Sequence, residues 1–249
     1  MIGQVISISI VGVGIAAAVI GFFAPRSWLF GHLYVHGARD SRTRPIALTF
    51  DDGPNEPYTS RILDLLARYD ARATFFVVGA NVERFPDTVR RMLAEGHVIA
   101  NHSYTHHPWG ALTNRLGREL ASTNDVVARV AGCRPGLARM PYGRKTPWAL
   151  AAARRQGMRV VAWDVAANDP NVRNAQRIAD AVVRRTRPGS IILLHDGCGA
   201  TEGADRSYTV AALATILPRL QAAGYTLVTV AELLGIPAYA DETSRARQW

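Results

Sequence analysis

Two adjacent carboxylates, Asp51 and Asp52, close an apolar run in the stretch ALTFDDGP at 47–54, and two imidazoles, His102 and His106, stand four residues apart in NHSYTHH. A spacing of four puts two rings on one helical face or within one tight loop, where both can reach a single cation. Taken alone, such a pair is more often surface or core than ligand. A carboxylate at the end of a nearby strand reverses that reading, because two histidines and one aspartate leave positions open for water and substrate, as in a catalytic rather than a structural zinc site. The second aspartate is one more than the ion needs. If one binds it, its neighbour is free to take a proton from a water that the ion has acidified. His195, in SIILLHDG, could then protonate a leaving amine, although by itself it is a histidine at a strand end. DDGP by itself is likewise an ordinary turn.

Residues so far apart in sequence need a frame that converges them. Apolar, β-branched or aromatic runs at 46–50, 73–78, 98–100, 137–140, 159–163, 190–194 and 225–228 read as seven short buried strands. Helical stripes fall between them. Residues 59–69 carry Ile62, Leu65, Leu66 and Tyr69 on one face, and 87–95 carry Val89, Met92 and Leu93 and stop at Gly96. Further helices are predicted over 112–131, after a Thr146 cap with Pro147 in the first turn, over 174–186, and over 207–223 where Pro218 disturbs the pattern. Strands alternating with helices imply βαβ crossovers and a parallel sheet, either open and doubly wound or closed as a barrel, with the site at the carboxyl ends of the strands. The unusual residues fall there: Asp51 and Asp52 after the first strand, His102 and His106 after the third, 139–143 after the fourth, Asp164 and Asp169 after the fifth, His195 after the sixth.

The 249 residues, 48% of them hydrophobic, suffice for a large core. A formal charge of +9 suits an anionic partner, yet the arginines are scattered in pairs and no nucleic-acid motif accompanies them, so no nucleic acid is expected as a partner. Two cysteines, Cys133 and Cys198, are too few for a disulfide framework. Residues 2–24 hold no charge, enough for one membrane-spanning helix, and the absence of a basic leader favours an uncleaved, single-pass anchor. This divides the chain into an anchor (1–24), a linker (25–44) with an aromatic patch, a domain (45–235) and a tail (236–249). Arg26, Arg39, Arg42 and Arg44 after the span would by charge alone leave the domain in the cytoplasm.

Five stretches in order, TFDDGP at 49–54, HSYTH at 102–106, RMPYG at 139–143, WDVAANDP at 163–170 and LLHD at 193–196, resemble the motifs of the polysaccharide deacetylase family, the NodB-homology carbohydrate esterases. The resemblance spans residues 45–235 and implies a distorted (β/α)7-type barrel. It assigns Asp51 as general base and Asp52, His102 and His106 as ligands of a divalent metal, zinc foremost, with cobalt, manganese or nickel as substitutes. It makes Arg139 the residue that orients the base, His195 the acid and Asp169 its tuning carboxylate. The Tyr142 N–H would join the metal at the oxyanion, and Leu193 would line the acetyl pocket. The implied reaction removes N-acetyl groups from amino sugars of peptidoglycan, chitin-like oligosaccharide or another envelope glycan. The family places such a domain outside the cytoplasm, against the arginine count. Pro170 where a Trp is usual, Ala166 for a frequent Asp and Met140 for a second proline depart from the pattern and reshape the groove.

Other readings share parts of this pattern. A deacetylase or deformylase of a lipid-linked amino sugar, or an O-acetyl esterase, would use the same machinery. A non-catalytic glycan-binding relative predicts loss of a site residue, and none is lost. An iron-dependent oxygenase uses two His and one carboxylate but gives Asp51 and His195 no task.

Overall fold

The computed structural model describes residues 2–39, 42–113 and 115–240, with side chains from residue 12 onward. Its strands are β1 (Pro45–Asp51), β2 (Ala73–Val77), β3 (Val98–Asn101), β4 (Leu137–Ala138), β5 (Arg159–Val160), β6 (Val165–Ala166), β7 (Ile191–His195) and β8 (Thr226–Leu227). Its helices are α1 (Ile2–Phe23), α2 (Tyr58–Arg68), α3 (Gly79–Arg84), α4 (Pro86–Ala94), α5 (Arg115–Ala131), α6 (Pro147–Arg155), α7 (Ala175–Arg185), α8 (Ser207–Ala222) and α9 (Val230–Leu234).

The strands form one parallel sheet in the order β5-β4-β3-β2-β1-β7-β6, with β8 pairing the first residues of β1 before β2 begins. Parallel strands covered by helices are buried on both faces and read as unbroken apolar runs, as β1 does: all but its first residue are buried. Phe50 and Phe75 stack at 5.2 Å between ring centroids in a core completed by Ile62, Leu66, Ile216 and Leu217 from the covering helices. Each such apolar side chain contributes about 1.5–3 kcal/mol by leaving water. Cap chemistry sets several helix ends. Thr146 accepts from the Ala149 N–H, Asn174 accepts from the Arg177 N–H, and Thr229 with Glu232 forms a reciprocal capping box before α9 ends at Gly235 with φ 61°. Pro218 does not break α8, because a buried face that includes Ile216, Leu217 and Leu220 outweighs one lost hydrogen bond.

The barrel is only partly closed by strands, for β5 and β6 lie at opposite ends of the pairing order. Residues 34–37 bridge residues 160–162 at the β5 edge to residues 189–190 just before β7. The Tyr34 N–H donates to the Val160 carbonyl at 3.0 Å, the Ala162 N–H to the Tyr34 carbonyl at 2.7 Å, and the Gly37 N–H to the Gly189 carbonyl at 2.8 Å. The stretch expected to be a linker therefore pairs with the open β5 edge, which exposed backbone groups make favourable, and Leu33 is buried with it.

The end of the N-terminal segment is likewise packed against the domain. Side chains of residues 2–11 lie outside the described residues, and among the described residues no helix is long and apolar enough to cross a membrane. The end of α1 is docked rather than free: Phe22 is buried with Leu33, Leu116, Met140 and Leu150. At the other terminus, the Gly136 N–H donates to Ala238 and the Ala240 N–H to Arg134, so the start of the expected tail is paired to the barrel. Residues 241–249 lie outside the described residues.

Candidate active site

β1 ends at Asp51, and the backbone then turns through Asp52 at φ 78°, a left-handed conformation uncommon for an aspartate. That turn breaks the alternation of a strand, so two consecutive carboxylates line one cleft. The turn is held from beneath: Asn81 Nδ2 donates to the Asp52 carbonyl and to the Gly199 carbonyl, both at 2.8 Å. His102 and His106 follow β3, with His106 also left-handed at φ 57°.

Asp52 Oδ1 lies 3.1 Å from His106 Nε2 and 3.5 Å from His102 Nε2, and the donor atoms of these three residues all lie within 4.8 Å of one another. His102 Nδ1 is 2.8 Å from the Arg139 carbonyl, to which it donates, leaving the Nε2 lone pair for the cleft. Burial first, and then the neighbouring His106, push the His102 pKa down to about 3, which keeps the ring neutral. Asp52 Oδ1 is buried and, among the described residues, meets no hydrogen-bond donor. An oxygen so placed costs about 1–3 kcal/mol unless something satisfies it. A cation does so, and two neutral imidazoles with one carboxylate suit it chemically, so these residues fit the divalent metal that the motifs imply.

Asp51 sits beside this cluster, its Oδ2 3.6 Å from His102 Nε2. Its other oxygen accepts from Arg139 Nη1 at 2.6 Å. Arg139 is wholly buried: it also donates to Thr49 Oγ1 at 2.8 Å and the Ala162 carbonyl at 3.0 Å, and lies 4.0 Å over the Phe76 ring. Burial raises the Asp51 pKa although the Arg139 charge opposes it, the condition of a base that holds a proton better than an exposed carboxylate.

Across the cleft, β7 pairs with β1 so that His195 is the partner of Asp51 in register. Asp169 holds it at two points, with Oδ1 3.0 Å from His195 Nδ1 and Oδ2 accepting the His195 backbone N–H at 2.9 Å. Thr209 Oγ1 fixes Oδ2 from α8 at 2.9 Å. Burial alone would lower the imidazole pKa, but the Asp169 charge and hydrogen bond outweigh it and it is pushed up to about 9.

The cleft has a volume of about 850 Å³ and is lined also by Tyr142, Trp163, Leu193 and Cys198. Tyr142, at φ 57°, is half exposed with its ring 4.6 Å from that of His106. The nine residues to which the resemblance assigns roles are thus brought together or in direct contact with the site. Asp164 is not among them: it accepts from Arg39, Ser190 and the Ile191 N–H. Residues that the sequence reading missed are supports, namely Asn81, Thr209 and Gly199, where a Cβ would come 2.9 Å from His106 Nδ1. Only the glycine in GCG after LLHD carried a hint of this in the sequence.

A parallel α/β barrel with two histidines, one bare carboxylate and flanking proton carriers at its carboxyl end defines a hydrolytic enzyme class. The comparisons narrow it. Residues 38–161 match the family model described as polysaccharide deacetylase. A chitooligosaccharide deacetylase of Rhizobium leguminosarum bv. trifolii is 40% identical over 197 residues, covering 75% of this chain and 90% of the relative. A peptidoglycan-N-acetylglucosamine deacetylase of Bacillus cereus is 36% identical over 212 residues, covering 84% and 75%. The crystal structure of a peptidoglycan N-acetylglucosamine deacetylase in complex with 4-naphthalen-1-yl-N-oxidanyl-benzamide superposes with a TM-score of 0.79 at 34% identity, covering 86% of this chain and 99% of that one. The chain belongs to the polysaccharide deacetylase family and is a hydrolase of the amides of N-acetylated sugars.

Proposed function

We propose that the protein removes acetyl groups from N-acetylglucosamine units of an oligomeric glycan, by attack of water on the acetamide carbonyl. One observation carries the reading: the buried, unpartnered Asp52 Oδ1 converges with two imidazole nitrogens, while Asp51 and His195 flank it in register. Asp52, His102 and His106 would hold a divalent cation, zinc by its preference for this donor set, which when bound lowers the pKa of water and polarises the carbonyl. Asp51, fixed by Arg139, accepts the proton of the attacking water. The Tyr142 backbone N–H donates to the oxyanion of the tetrahedral species, and Leu193 lines the wall against the acetyl methyl. His195, kept protonated by Asp169, gives its proton to the nitrogen as the C–N bond breaks, so the products are acetate and a free amine.

Support for a glycan oligomer comes from the relatives, named for chitooligosaccharide and for peptidoglycan. The test is acetate release from N-acetylchitooligosaccharides and from peptidoglycan fragments by zinc-loaded protein, before and after a chelator. Release that a chelator abolishes and zinc restores is expected; chelator-insensitive release, or none on either substrate, overturns the reading. We also infer that the uncharged stretch 2–24 anchors the chain in a membrane with the domain outside the cytoplasm, a reading that rests on the sequence of that stretch. A reporter fused at the carboxyl terminus checks this: periplasmic activity supports it and cytoplasmic activity contradicts it.

A further inference from the structure

The Pro141–Gly143 turn that carries Tyr142 is closed by its own hydrogen bonds, from the Gly143 N–H to the Met140 carbonyl at 2.9 Å and from the Arg144 N–H to the Pro141 carbonyl at 3.0 Å, and is also packed from behind. Tyr142 at φ 57° and Gly143 at φ 66° are both left-handed, and the turn leaves the sheet after only two residues of β4. What lies behind it is the end of the N-terminal helix. A Cβ on Gly143 would stand 2.7 Å from Pro25 Cβ and 3.0 Å from the Trp163 ring, so Pro25 is packed directly against the turn. Lys145, two residues on, is nearly inaccessible to water, and its ammonium donates to the Ala24 carbonyl just beyond the end of α1. Its backbone N–H donates to the Phe22 carbonyl at 3.3 Å. On the other side Arg26 donates to the Trp163 carbonyl at 3.1 Å and to the Asp164 carbonyl, where the fourth motif begins. Phe22 itself is buried against Met140, the residue before the turn.

A lysine at a helix carboxyl end is ordinary chemistry, since its charge satisfies terminal carbonyls. An ammonium buried with a carbonyl as its partner and, among the described residues, no carboxylate is not. Burial pushes its pKa down to about 8. The cost of hiding that charge is offset by what it fastens, which is the junction of residues 22–26 with the turn at 141–143.

We propose that Lys145 and Arg26 are positioning residues: they fasten residues 22–26 as a strap behind the Tyr142 turn and the Trp163 wall, fixing the backbone donor of the oxyanion site. The strap makes the helix end part of the catalytic machinery. It rests on the deacetylase reading above, and acts on the transition state rather than on substrate binding, because an oxyanion donor meets its partner only as the carbonyl becomes tetrahedral.

The experiment uses the full-length, zinc-loaded chain and N-acetylchitooligosaccharide, comparing Arg26→Gln and Lys145→Met with the unaltered protein. Arg26 is exposed, so its replacement leaves folding intact. Lys145→Met keeps the volume and removes the donor. Expected for each is a fall in kcat of about tenfold, below the hundredfold or more for deleting an oxyanion donor outright, with KM within twofold and one zinc per chain. Lys145→Arg should recover part of the loss. Unchanged kcat in Arg26→Gln, or a rise in KM with kcat constant, overturns the proposal. If the unaltered chain released no acetate, the deacetylase reading itself would have failed, which is a separate result from equal activity of chain and variants.

Discussion

Asp51 and His195, proposed above as base and acid, face each other across neighbouring strands, and their surroundings are opposite in kind. Asp51 is buried at the floor of the cleft, with a buried arginine as its counter-ion. His195 keeps a fifth of its side chain exposed, with a buried aspartate as its counter-ion. Both use one opposite charge at hydrogen-bond distance, yet the balance differs. At Asp51 burial wins over Arg139 and the pKa rises; at His195 the Asp169 charge wins over burial and the pKa also rises. Asp51 is thereby made more willing to take a proton, and His195 is kept protonated at neutral pH, as the proposed roles of base and acid require. A raised pKa on both sides suits a reaction in which one group accepts a proton and the other delivers one.

That contrast can be broken at its strongest point first. Asp51→Asn should lower kcat by about 10³–10⁴-fold while zinc content stays at one per chain, because the proposed ligand carboxylate is that of Asp52. His195→Ala should cost about 10²–10³-fold, less than the base, since water in the more open half can stand in as a proton donor. His102→Ala tests a different group, and metal analysis should show the zinc lost together with turnover.

Arg139→Met sharpens the comparison through stability. It leaves the Asp51 carboxylate buried without its partner, and denaturation at pH 7 should show a loss of about 3–5 kcal/mol. The smallest expected effect is in the pH profile. His195 has a folded pKa near 9, above the usual value of 6.5, so its charge contributes stability that is complete below pH 6.5 and is lost as pH rises through 9. The alkaline limb of kcat/KM should fall at the same pH. Asp169→Asn removes the charge and leaves burial, so that limb should move toward lower pH; a limb unmoved in this variant would mean that Asp169 does not set the acid.

The residues of the candidate site were legible in the sequence because they are of unusual type and sit at strand ends, where ordinary turns seldom gather titratable groups. Seven of the eight strands were visible as apolar runs. The missing one, β6, has only two residues and lies inside WDVAANDP, whose polar neighbours hide it. Residues 34–37 carry no periodicity, since they pair by single bridges rather than a ladder, and so their pairing could not be read. Supports such as Thr209 and Asn81 are common residue types that become meaningful only when a helix from elsewhere in the chain lays them against Asp169 or Asp52. The left-handed turn at Asp52 belongs with them, because DDGP is compatible with several turns and tertiary contacts select this one.

The central claim is that Asp51 works on the substrate's water while Asp52 and the two histidines hold the ion. It is tested most directly by measuring acetate release and zinc content together on the same samples of unaltered protein and Asp51→Asn, with N-acetylchitooligosaccharide as substrate. The account predicts equal zinc in both and release reduced at least a thousandfold in the variant. Equal release from both, or loss of zinc from Asp51→Asn, would contradict it.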